Sequence, residues 1–287
     1  MRILKLIFAP VAAILKFINT NFKALVFLLI LILLFAPGGD IKQPNLAQID
    51  IKGALFDTDE ILNKLEELRN DQNIKGVLLY IDSPGGALSP SVEIATQVKR
   101  LKESKKVLAY AGGSMASGSY YAGVNADKIL ANPGSFIGSI GVIMQAPNIA
   151  ELAHKIGVSE QVVKAGELKE AGTFTRQWSK EERASLQNLV DGAYELFTKD
   201  VAQARNLSLD KKDEWANARI FLADDALKIG LIDGVCGYFD AKSELEAMSG
   251  VDEPVWQEKP QIEKLMEKFT HQGINSLFSA FFSVQTR

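Results

Sequence analysis

Short continuous apolar runs alternate with amphipathic stretches over most of this chain, and that alternation sets the expected architecture. AQIDIKG (47–53) reads as a strand, and DTDEILNKLEELRND (57–71) as a helix with Ile61, Leu62, Leu65 and Leu68 on one face. GVLLYID (76–82) is apolar throughout, as expected of a strand covered on both faces. SPSVEIATQVKRLKES (89–104) predicts a helix with Ser89 as N-cap and Pro90 at its first position. The strand KVLAYAG (106–112) follows, then a helix after Ser117, then the strand DKILAN (127–132). A long helix over 179–205 opens on a capping box from Ser179 to Glu182. ARIFLADDALKIGLIDGV (218–235) predicts a short strand and a helix stopped by Gly230. Strands and helices in this order are parallel βαβ units, so the fold class is α/β.

The N-terminal region follows a different pattern. No acidic residue occurs from Met1 to Gly39, whereas Arg2, Lys5, Lys16 and Lys23 are basic. ALVFLLILILLFA (24–36) is unbroken apolar sequence ending at Pro37. Thirteen helical residues rise about 20 Å, short of a hydrocarbon core of roughly 30 Å. Counting back to Phe17 extends the run to about the twenty residues a span needs, with Lys23 snorkelling. Leu34 and Pro37 make a poor cleavage site, so the reading is an uncleaved anchor. Basic residues before it and Asp40 after it orient the N-terminus to the cytoplasm. ILKLIFAPVAAILKF (3–17), with Pro10 and two lysines, is expected to lie on the membrane. The expected organisation is an interfacial segment (1–22), a transmembrane helix (23–37), a linker (38–46), a globular domain (47–250) and an apolar tail (251–287).

Composition narrows the functional classes. A formal charge of −3 over 287 residues provides no basic field for nucleic acid. Cys236 is the single cysteine, which excludes an intramolecular disulfide and a cysteine-built metal site; it reads as a small core filler.

Two glycine-rich turns carry the candidate chemistry, DSPGGAL (82–88) and AGGSMASGSYYAG (111–123). They follow consecutive strands of a parallel sheet, so both fall at its carboxyl edge, where open α/β folds place their sites. Paired glycines let backbone amides approach a ligand oxygen, and two such turns can supply the two donors of an oxyanion hole. No GxxxxGK[ST] pattern occurs, which argues against phosphate binding. A serine nucleophile needs a base, and the two histidines are poorly placed for it. His154 reads as a surface helix residue and His271 lies in the tail. A lysine held neutral by burial can replace histidine. Lys164 and Lys169, in QVVKAGELKEAGTF (161–174), are the candidates, and the residues alone do not choose between them.

DSPGG (82–86), MASGSYYA (115–122), SFIGSIGV (135–142), VKAGELKEAG (163–172) and FLADDALKIGLID (221–233) together resemble the signal peptide peptidase A family, also called protease IV, over roughly residues 47 to 240. The resemblance implies the ClpP/crotonase superfold and a Ser-Lys dyad endopeptidase of the bacterial cytoplasmic membrane, single-pass, with its catalytic domain outside. It places the nucleophile on Ser117 and the base on Lys169, leaving Lys164 a bystander. Ser139 would orient the lysine, and the Gly86 and Gly118 amides would form the oxyanion hole. It implies no metal or cofactor, remnant signal peptides and other short apolar peptides as substrates, and a homo-oligomeric ring. Three positions depart from the family pattern: Ser119 replaces glycine, where it is expected to crowd the turn, Leu168 replaces phenylalanine and Glu170 replaces aspartate. Ser114 and Ser119 are then turn residues. The competing readings are a crotonase-type acyl-CoA enzyme and an inactive peptide-binding membrane scaffold.

Overall fold

The apolar runs expected to be strands form the centre of a parallel sheet. The computed structural model describes residues 16–35 and 42–258, with side chains of 32–35 left aside. Expectations for the first fifteen residues, the end of the anchor, the first four residues of the linker and the tail beyond Glu258 lie outside the described residues. The chain divides into two units, Met1–Gln43 and Pro44–Arg287.

In the first unit, α1 (Phe22–Phe35) has 14 residues. Bonds of helical spacing continue back through Asn21, whose N–H donates to the Phe17 carbonyl at 2.9 Å. Among the described residues no helix is long and apolar enough to cross a membrane. The described helix by itself therefore does not show the anchor expected over 23–37. At 1.5 Å per residue the helix is about 20 Å long, and the polar residues before it do not extend its apolar length.

The second unit runs β1 (Leu46–Leu55), α2 (Asp59–Asn70), β2 (Gly76–Gly86), α3 (Leu88–Leu101), β3 (Lys106–Ala116), α4 (Gly118–Gly123), β4 (Lys128–Ala131), β5 (Phe136–Gly138), α5 (Ala150–Lys155), α6 (Lys180–Arg205), α7 (Lys212–Trp215), β6 (Ile220–Leu222), α8 (Ala223–Lys228), β7 (Gly234–Val235) and α9 (Tyr238–Ser249). The main sheet has the order β1-β2-β3-β4-β7, with every pairing parallel. Side-chain alternation sorts its residues onto two faces. Ile49, Ile51, Leu79, Ile81, Val107 and Ala109 pack in one cluster with Leu65 and Leu68 of α2 and Ile94 and Val98 of α3. Leu46, Leu78, Leu108 and Tyr110 pack in the other with Ala241 and Leu245 of α9. Each fully buried leucine or isoleucine contributes about 1.5–3 kcal/mol. Cys236 packs against the second cluster, as a small filler should.

Three details differ from the sequence expectation. Helix α3 begins at Leu88 with Ala87 as its cap, so Ser89 and Pro90 fall within the first turn. Proline is tolerated there because those amides have no intrahelical acceptor. The described start of the tail returns to the sheet, with Trp256 bridged to Leu46 and the Gln257 N–H donating to the Leu46 carbonyl at 2.7 Å. Beyond Ala111, β3 leaves β4 and pairs instead with β5, which is antiparallel to β6.

An ion pair ties the far end of α6 to the sheet. The Arg205 side chain is 9% exposed and grips Asp233 at 2.7 and 2.9 Å, while Nε donates to the Gly230 carbonyl at 3.1 Å. The same carboxylate accepts the Ile129 N–H at 2.7 Å, so the loop before β7 is held to β4.

Candidate active site

The carboxyl ends of β2 and β3 carry the two glycine turns side by side, as parallel pairing requires. Ser117 stands where β3 gives way to α4, with φ 53° and ψ −125°. Its N–H donates to the Gly138 carbonyl at 2.7 Å, and its carbonyl accepts the Tyr121 N–H at 3.0 Å. The hydroxyl makes no capping bond to the helix it precedes. Among the described residues, four non-glycine residues have positive φ: Ser117, Ser139, Asn206 and Ala218. Asn206 is a helix C-cap, where that conformation is common. Ser117 and Ser139 are both candidate site residues, and each holds a backbone conformation that costs about 1–3 kcal/mol. The Gly138 carbonyl belongs to the peptide that leads into Ser139, so the bond from Ser117 brings the two serines' backbones together.

The candidate oxyanion donors lie against this turn. A Cβ placed on Gly85, where φ is +98°, would stand 2.6 Å from the Gly118 nitrogen and 2.9 Å from Ser117 Cβ. One placed on Gly118 would stand 3.1 Å from the Gly86 nitrogen and 2.3 Å from Ser91 Oγ. At Gly85 and Gly118 the two turns therefore meet closely, and a side chain at either position would force them apart. As the first amide of its helix, Gly118 N–H has no intrahelical acceptor. Gly118→Ala should separate the turns, because Ser91 Oγ is committed to the Ala87 carbonyl at 2.8 Å and cannot move away without loss. Peptide hydrolysis should fall about 10²- to 10³-fold, as for a lost oxyanion donor, with the far-ultraviolet circular dichroism spectrum unchanged.

The candidate base occupies a different setting. Lys169 lies on a 3-10 turn, Glu167–Glu170, and is exposed, with no hydrogen bond or ion pair for its ammonium among the described residues. No hydrogen bond joins it to Ser117 or Ser139 among the described residues. Lys164 is paired with Glu170. Arg176 reaches the same Glu170 at 3.1 Å and grips buried Glu182 at 2.7 and 2.8 Å. Arg176, then the Ser179 amide, hold the Glu182 carboxyl down at about 2. Its stabilising effect is complete above the ordinary carboxylate range and is lost as pH falls toward that value. Glu182 also closes the expected capping box with Ser179. The lysine turn is thereby fastened to the start of α6 by a network that periodicity could not reveal. Around it Val163, Leu168 and Phe174 are exposed. His154 is exposed on α5, as expected of a surface helix residue, and His271 lies outside the described residues.

Residues 99–252 match the model of peptidase family S49. The chain is 37% identical over 211 residues to a candidate protease of Synechocystis sp., covering 73% of this chain and 76% of that one. It is 32% identical to a candidate signal peptide peptidase SppA of Enterococcus faecium, covering 69% of this chain and 61% of that one. It is 31% identical to the chloroplastic serine protease SPPA of Arabidopsis thaliana, covering 70% of this chain and 30% of that longer protein. The chain belongs to peptidase family S49.

Proposed function

We propose that this S49 peptidase is a serine endopeptidase of the ClpP/crotonase superfold that works through a Ser117–Lys169 dyad. The observation carrying this reading is Ser117 itself. It is held at positive φ with an uncommitted hydroxyl, in backbone contact with Gly85 and Gly118. The energy stored in that turn serves to present an oxygen, since a plain strand-to-helix connection needs no such conformation.

In the proposed reaction Ser117 Oγ attacks a peptide carbonyl carbon while its proton passes to neutral Lys169. The carbonyl oxygen becomes an oxyanion that accepts from the Gly86 and Gly118 amides, each worth about 3 kcal/mol in the transition state. Collapse breaks the C–N bond, and the lysine returns the proton to the leaving amine. The acyl-serine is then cleaved by a water that the same lysine deprotonates. Ser139 accepts a hydrogen bond from the lysine and orients it.

A lysine base must be neutral, and burial is what favours the neutral form. In one chain the 169 turn is open to water and bordered by apolar Val163, Leu168 and Phe174. Assembly into a homo-oligomeric ring would cover these side chains and exclude water from the amine together. The proposed substrates are remnant signal peptides and other short apolar chains. The apolar run 24–36, of which α1 is the described part, would anchor the enzyme in the bacterial cytoplasmic membrane, N-terminus inside and Ser117 on the outer side.

The test is a fluorophosphonate probe applied to the purified full chain, with the adduct mapped by mass spectrometry alongside cleavage of an apolar peptide. The adduct should fall on Ser117, and labelling should abolish cleavage in proportion. Cleavage that persists in fully labelled protein, or an adduct elsewhere, would overturn the assignment.

A further inference from the structure

Ser119 was expected to crowd the nucleophile turn. It is instead fully buried, with its hydroxyl bridging the two turns of the site. Ser119 Oγ donates to the Ser83 carbonyl at 2.6 Å and accepts the Ala116 N–H at 2.9 Å, with the Ala116 carbonyl also at 2.9 Å. Ser83 belongs to the strand that delivers Gly85 and Gly86, and Ala116 immediately precedes Ser117.

The sheet explains why a side chain is needed there. The β2–β3 ladder runs in register to Ile81 and Ala111, then resumes at Ser83 and Met115, with two more residues on β3 than on β2 across the gap. Such an interruption leaves backbone donors and acceptors without ladder partners. Two side chains bond across this stretch. Asp82 accepts the Ser114 N–H at 2.9 Å within the interruption, and Ser119 joins Ser83 to Ala116 just beyond it.

We propose that Ser119 is a positioning residue that sets the spacing between the Gly86 and Gly118 amides. The hydroxyl is the only side-chain group shown bonding to both strand ends at once among the described residues. It is fully buried, so it acts through Ser117 and Gly118 and does not touch substrate. This inference rests on the oxyanion-hole reading given above. A donor misplaced by about 1 Å costs a catalytic step roughly 100-fold, whereas substrate contacts remote from the turn are unaffected.

The experiment compares wild type, Ser119→Ala, Ser119→Cys and Ser117→Ala in full-length chain, reading kcat and KM on an apolar peptide and the rate of fluorophosphonate labelling. Ser119→Ala should lower kcat ten- to a hundredfold, with KM within about twofold and labelling slowed in step with kcat. Ser119→Cys keeps the volume and weakens the bonds, so its kcat should fall between the two. It supplies the same reading if the alanine variant does not fold. Wild-type kcat in either variant, or a loss confined to KM, would overturn the proposal. Ser117→Ala separates the two levels of inference. If it still cleaves, the nucleophile assignment fails; if it is dead while the Ser119 variants are normal, only the role of Ser119 fails.

Discussion

Ser117→Ala should remove peptide hydrolysis by a factor on the order of 10⁴ to 10⁶ and leave the fold in place. The loss is expected to be that large because the neighbouring serine hydroxyls are engaged, Ser83 with the Gly85 N–H at 3.2 Å among them. Ser119 is committed to Ser83 and Ala116, and Ser91 to the Ala87 carbonyl. The fold should survive because the bonds holding position 117 are made by its backbone: its N–H to Gly138 and its carbonyl to Tyr121. Its hydroxyl caps nothing. Alanine meets the same strain at φ 53° that serine does, so the melting temperature should hardly move. Ser117→Gly sharpens the test. Glycine adopts this conformation without penalty, so that variant should be as inactive as alanine and at least as stable as wild type. A less stable glycine variant would show that position 117 is not strained, and a still active one would remove Ser117 from the chemistry.

What could be read along the chain was whatever local pattern determines. Continuous apolar runs marked β2 and β3 because both faces of those strands are covered. The glycine turns were visible because only glycine allows two backbones to meet as Gly85 and Gly118 do. The Ser179–Glu182 capping box was visible because it is closed within four residues. The missed features depend on partners distant in sequence. The change of register between β2 and β3 is a property of two strands together, and the role of Ser119 follows from it. Arg205 with Asp233, and Arg176 with Glu182, look like ordinary surface charges until α6 is folded against its neighbours. The N-terminal anchor is a separate case. Hydropathy marks the apolar run, and the described helix covers 14 residues of that region.

Lys169→Ala should reduce hydrolysis about 10³-fold or more, while Lys164→Ala should leave kcat within a few-fold of wild type. The sequence alone could not separate these lysines, and the structure gives them different surroundings. Lys164 is spent on Glu170, which Arg176 also holds, so its removal loosens a network that still has its guanidinium. Lys169 has no such engagement among the described residues, on the turn that the network fastens to α6. An ammonium left unpaired beside exposed apolar side chains is an unlikely choice for stability, and it suits a group that acts only once water is excluded. Lys169→Arg should fail as completely as alanine, because a guanidinium stays protonated and cannot accept the serine proton. The same reasoning sets a condition on wild type. If covering the 169 turn by neighbouring copies creates the neutral base, specific activity should rise with protein concentration in step with assembly measured by light scattering. Full activity from a dilute monomer would show that the amine is neutralised within one chain, and the base would then have to be sought nearer to Ser139.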